Sequence, residues 1–223
     1  MPSSNSCFGP CFFALPSYAS AATYNVAKTG NDTTGNGSVE NPWLTLQHAE
    51  DTVVDGDTVH VGAGIYTEDS MTHSWYSLKE VSWIADGEVV VHAVAAGIRV
   101  LSTGGIKAAS FDGFTFDADN DIDGAKSYAV TFSSSTANKT FSNCIFRDAT
   151  SALISGTSLS NIDIDSSTFN MNSGSVSGIK GSYADSVFSD NTFNATAGLA
   201  TVRISSDGNS ATFDGNTFRV MTS

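Results

Sequence analysis

The chain has 223 residues, 40% of them hydrophobic and 10% aromatic, with ten Lys and Arg against 23 Asp and Glu and a net charge of −13. That length and apolar content suffice for one sizeable core and exclude intrinsic disorder. Cations this few and this scattered exclude a nucleic-acid surface, which needs clustered Lys and Arg, and no apolar run reaches the roughly 20 residues of a membrane helix.

Residues 1–22 differ from the rest: an apolar run around Cys7, Cys11 and Phe12 is followed by Ala19-Ser20-Ala21, the small-residue pattern of a cleavage site. It reads as a degraded or partial signal peptide, without a basic start and interrupted by Pro10, and it predicts a secreted chain. Its removal leaves Cys144 as the only cysteine, so packing must supply the stability, and Cys144 reads as a small buried hydrophobe.

Residues 23–57 then predict an N-terminal strand and a capping helix. Thr23 to Lys28 suits a short strand, and Pro42 to Val54 suits an amphipathic helix with Trp43, Leu46, Ala49 and Val53 on one face. Asp55-Gly56-Asp57 turns the chain into a strand at Thr58 to Val61, and Gly62 to Tyr66 makes a corner. Trp75, Tyr76 and Trp83 suit early packing better than a sugar-stacking platform.

From there on one six-residue unit recurs: Phe111 to Phe116, Phe141 to Phe146, Ile164 to Phe169, Phe188 to Phe193 and Phe213 to Phe218, with starts 30, 23, 24 and 25 residues apart. That spacing is a solenoid period. The first and sixth positions are large and apolar, as inward ladders require. The third, Gly113, Asn143, Ser166, Asp190 and Gly215, tolerates a left-handed bend, and Asn191 with Asn216 at the fourth could start an asparagine ladder. A second column puts Ile98, Val130, Leu153, Ile179 and Val202 inward, with Arg99, Thr131, Ile154, Lys180 and Arg203 outward on one sheet. The expected fold is all-β, a right-handed parallel β-helix over residues 58–223 whose first coil is plugged by the helix. A β-sandwich does not explain the spacing. The last repeat is followed only by Arg219 to Ser223, so a continuation or a partner is expected to cover that end.

The run Lys28-Thr29-Gly30-Asn31-Asp32, the turn Gly56-Asp57 and the corner Gly64-Ile65-Tyr66 resemble the opening of extracellular proteins of the pectate-lyase-like β-helix superfamily. That superfamily spans lyases, hydrolases, epimerases, tailspikes and adhesins, so the resemblance speaks for fold more than for activity.

Coils in register would set Lys180 and Arg203 about 5 Å apart on an outward face, and a lysine crowded by a second cation suits the work of a base. The pair resembles that of polysaccharide lyases acting on alginate or chondroitin. The resemblance implies that Lys180 takes the proton α to a uronate carboxylate while Arg203 stabilises the charge. Two departures stand out: the calcium-binding acids that precede the lysine in those enzymes are replaced by Ser173 to Ser177, and the histidine after the arginine is Ile204. Arg99, Asn170 and Asn172 are the remaining substrate-binding candidates.

Asp119, Asp121 and Asp123 before Gly124 match the first half of a calcium loop, with Asp117 just ahead of it as a further metal candidate, although the position expected for the bidentate Glu holds Val130. Calcium is therefore an expected cofactor. Asp163, Asp165 and Asp190 are weaker candidates for a hydrolase pair, and the four histidines lack metal-ligand spacing. The function expected is binding of an acidic polysaccharide outside the cell, with cleavage by β-elimination. The alternative is a noncatalytic surface, adhesin or tailspike-like scaffold.

Overall fold

A computed structural model describes residues 20–68, 73–93, 99–103, 107–118, 127–132, 138–171, 176–196, 201–204 and 211–221, so residues 1–19 of the signal-like segment lie outside the described residues. Every strand pairing given for them is parallel. The chain opens with β1 (Thr23–Val26), α1 (Leu46–Thr52) and β2 (Thr58–Tyr66). α1 is shorter than the predicted Pro42 to Val54 because the sheet recruits the backbone of Trp43: its N–H donates to the Asn25 carbonyl at 3.0 Å and its carbonyl accepts from Ala27 at 2.9 Å. The helix starts only after Thr45, whose hydroxyl accepts the His48 N–H at 3.2 Å. The predicted apolar face survives, since Trp43, Leu46, Ala49 and Val53 are all buried and α1 packs on β1 and on the first strand of the smaller sheet.

β3 (His73–Ser77), β4 (Ser82–His92), β5 (Arg99–Thr103), β6 (Ala109–Asp117) and β7 (Tyr128–Phe132) complete the early coils. β2, β4 and β6 are long strands that each serve both sides of a bend. In later coils that strand breaks in two: β8 (Lys139–Ser142) and β9 (Ile145–Arg147) lead to β10 (Ala152–Ser160), β11 (Ile162–Asp165) and β12 (Thr168–Met171) to β13 (Ser177–Ala184), β14 (Ser186–Ser189) and β15 (Thr192–Thr196) to β16 (Thr201–Ile204), and β17 (Ala211–Asp214) is followed by β18 (Thr217–Met221). Two sheets result. A six-stranded one runs β16-β13-β10-β7-β5-β3, and a twelve-stranded one holds the two arms of each bend.

The repeat explains the stacking. Phe116, Phe146, Phe169, Phe193 and Phe218 lie one above another with ring centroids 5.5, 4.9, 4.5 and 4.9 Å apart, close to the ~4.8 Å between strands. The third position of every unit has positive φ: Gly113 81°, Asn143 55°, Ser166 49°, Asp190 53° and Gly215 63°. The fourth position forms a ladder inside the bend, in which the amides of Cys144, Ser167 and Asn191 donate to the side-chain oxygens of Ser167, Asn191 and Asn216 at 3.0, 2.9 and 3.0 Å. The Asn191 and Asn216 amide groups in turn donate to the Ile164 and Phe188 carbonyls at 2.9 and 2.7 Å. Trp75 and Trp83 are fully buried, edge to face at 4.6 Å, which makes them core and not platform.

The predicted second column needs correction. Val130 pairs with Leu101 and with Ile154, so Leu101 and Ile154 take the places expected of Ile98 and Leu153; Ile98 lies outside the described residues. The column on the other face is Ser102–Thr131–Ser155–Lys180, and the backbone of Arg203 pairs with Lys180 on the next coil. This register buries Ile154 completely and gives its expected outward place to the half-buried Ser155, whereas the predicted one would leave an isoleucine in water.

Candidate functional site

In a chain of net charge −13, the position of each cation is informative. Lys28 lies over the Tyr66 ring at 4.7 Å. Lys79 donates to the carbonyls of Glu50, Asp51 and Val53 at the end of α1, Lys107 pairs with Asp55, and the buried Lys139 donates to the Lys107 carbonyl. Arg147 grips Asp117. Among the described side chains, Arg99, Lys180 and Arg219 are exposed cations without such a partner. Arg99 and Lys180 both belong to the six-stranded sheet.

The register of that sheet sets Lys180 directly opposite Arg203 on the next coil. The strand of Arg203 is described and its side chain is not. Gly181 follows Lys180 with φ 148°, and a Cβ there would stand 2.0 Å from the Gly156 carbonyl oxygen; the coils approach too closely for any other residue, which holds the backbone at Lys180 in place. Beside this pair runs a groove of about 300 Å³, lined by Arg99, Ser102, Tyr128, Thr131, Ser155 and their neighbours. The Thr131 hydroxyl is buried there without a hydrogen-bond partner among the described residues.

Arg99 is not on the Lys180 column. It pairs with Tyr128, three residues before Ser102 and so about 10 Å along the strand, at the far edge of the same groove. Asn170 is on the other sheet, where the seventh position of the repeat stacks as His92–Asp117–Arg147–Asn170–Asn194–Arg219. There the Asn194 amide donates to the Asn170 oxygen at 2.9 Å. Asn172 lies outside the described residues; of the two expected substrate-binding residues that are described, Arg99 shares the sheet of Lys180 and Asn170 does not.

Asp117 is 8% exposed, and one of its carboxylate oxygens accepts Nε and Nη2 of Arg147 at 3.0 and 2.8 Å, with His92 Nδ1 3.6 Å away. A carboxylate matched by a guanidinium is a poor calcium ligand, and Asp119, Asp121 and Asp123 lie outside the described residues. No group of three or more His, Cys, Asp or Glu among the described residues is arranged to hold a metal. Burial pushes the Cys144 thiol up to about 12, which rules it out as a nucleophile at neutral pH. Asp163 and Asp165 face outward two residues apart, while Asp190 occupies its bend and donates its backbone N–H to the Asp214 carbonyl at 3.0 Å. Sequence reasoning passed over Arg147, His92 and Tyr128. The seventh position of the unit would have pointed to Arg147, because it follows the stacked Phe directly.

The family described as the right handed beta helix region matches residues 87–221, more than half of the chain. The chain belongs to that family. No curated protein matches this β-helix. Among solved structures, a rhamnogalacturonan lyase is similar over 89% of the chain at 11% identity and a TM-score of 0.38, and a pectate lyase over 92% at 11% identity and 0.37. The chain spans 63% of the first of those structures, less than two thirds, and 78% of the second. At these values the likeness is one of fold. No helix among the described residues is long and apolar enough to cross a membrane.

Proposed function

We propose that this β-helix works outside the cell, binding an acidic polysaccharide across the outward face of its six-stranded sheet and cleaving it by β-elimination. The supporting observation is the register that sets exposed Lys180 opposite Arg203 beside a groove edged by Arg99, while most other described cations are tied up inside an acidic molecule. Coils repeat every ~4.8 Å, about the length of one sugar in an extended chain, so a polymer running along the column meets one outward side chain per sugar. Tyr128 and Ser155 line the groove and offer hydroxyls to it.

In the elimination Lys180 is the base that takes the proton from the carbon α to the uronate carboxylate. The electron pair of that C–H bond becomes the new C=C bond, the glycosidic C–O bond at the β carbon breaks, and its oxygen leaves with the pair and takes a proton from water, while Lys180 gives its own proton back to the solvent. Arg203 balances the charge that builds on the carboxylate. No step here runs through calcium. The test is the ultraviolet absorbance of unsaturated uronate ends on alginate, chondroitin and pectate, measured with and without added calcium. Lys180→Ala, folded by circular dichroism, is expected to abolish the signal. If none of these polymers yields unsaturated ends, the elimination is wrong; binding that persists without them leaves a noncatalytic scaffold.

A further inference from the structure

The twelve-stranded sheet carries a second, larger groove of about 630 Å³ that an acidic polymer does not explain. It lies across β2, β4, β6 and β9, and two outward columns build it. One is aliphatic: Ile65, 59% exposed, stands beside Val90, which is only 7% exposed, on the next coil. The other is polar, with His92, Asp117 and Arg147 on successive coils and Glu88 at the margin.

Asp117 holds the guanidinium of Arg147 by two of its nitrogens, so the fork is fixed in orientation, while its remaining N–H donors make no hydrogen bond among the described residues. The charge of Arg147 is already matched by Asp117, Asp148 stands 3.6 Å from its Nε, and Glu88 leaves the groove without an unmatched Lys or Arg, so an anion is disfavoured. The arrangement suits a ligand with an apolar C–H face and neutral hydroxyls on its edges. The aliphatic column takes the face, Arg147 donates, and Glu88 accepts. A cavity of this size holds a few sugar units.

We propose that this groove is a second glycan site that takes neutral hexose units, on a different sheet from the Lys180–Arg203 pair. The two sites test separately. Isothermal titration of the full chain with cellohexaose, mannohexaose and galactohexaose is expected to show binding of at least one. Ile65→Glu, at an exposed position that does not threaten the core, and Arg147→Lys, which removes the planar fork, should each weaken it about tenfold or more. Lys180→Ala should leave it unchanged. If no neutral hexaose binds at millimolar concentration, or if Ile65→Glu and Arg147→Lys leave the affinity intact, the site is not there. A hexauronate that binds wild type and is lost on Ile65→Glu would overturn the neutral assignment. Failure of elimination with neutral binding intact counts against the Lys180 reading alone.

Discussion

The carboxylate of Glu68 shows how one residue sets the behaviour of the cap. It accepts the amides of Leu46 and Gln47 at the start of α1, the latter at 2.6 Å. Burial pushes its pKa up to about 7; the two amides and Lys28 pull it down, and Asp32 pushes it further up. A carboxyl whose pKa is raised on folding favours the folded state while protonated. Its contribution is complete below the ordinary value of 4.5 and is lost as pH rises through about 7. Stability should therefore fall across that interval by about 3 kcal/mol, read as a falling melting temperature, and Glu68→Gln should flatten the fall. Identical pH profiles for the two proteins would remove Glu68 as the cause. Cys144 makes a second residue-scale expectation: the native protein should resist a thiol reagent that labels it once it is unfolded in urea. Neither carboxylate nor helix start could be paired from sequence, because Glu68 and Leu46 are 22 residues apart and no repeat relates them.

At the scale of elements, stability comes from ladders that link one coil to the next. Asn191 is fully buried, accepting from Ser167 and donating to Ile164, so Asn191→Ala leaves both backbone groups unpaired and should cost about 2–4 kcal/mol in urea unfolding. Phe169 stacks between Phe146 and Phe193, and Phe169→Ala should cost about 3–5 kcal/mol through the cavity it leaves. A loss below 1 kcal/mol at either position would mean that the coils do not stack through these side chains. Both ladders were legible because period and chemistry agree at each position: rings at the sixth, left-handed bends at the third, asparagines at the fourth. The second column was less legible. Ala152, Leu153 and Ile154 are all buried, so three consecutive apolar residues gave no alternation from which to choose the register, and only pairing with Val130 decides it.

For the whole molecule, the solenoid makes neighbours of residues one period apart, and so the meeting of Lys180 with Arg203 could be read from spacing alone. What spacing could not convey was which cations are already engaged. Arg147 and Lys79 look as free in sequence as Lys180 does, yet one holds Asp117 and the other caps α1. The division of labour between the sheets follows from those contacts, and so does the groove containing Arg147. Amide chemical-shift mapping with a uronate hexamer tests that division most directly. The account predicts shifts at Ser102, Thr131, Ser155 and Lys180 that fade with added salt, while Thr168, Asn170 and Asn194 on the other sheet stay still. Shifts centred on the twelve-stranded sheet, or shifts on the six-stranded sheet that survive Lys180→Ala unchanged, would contradict it.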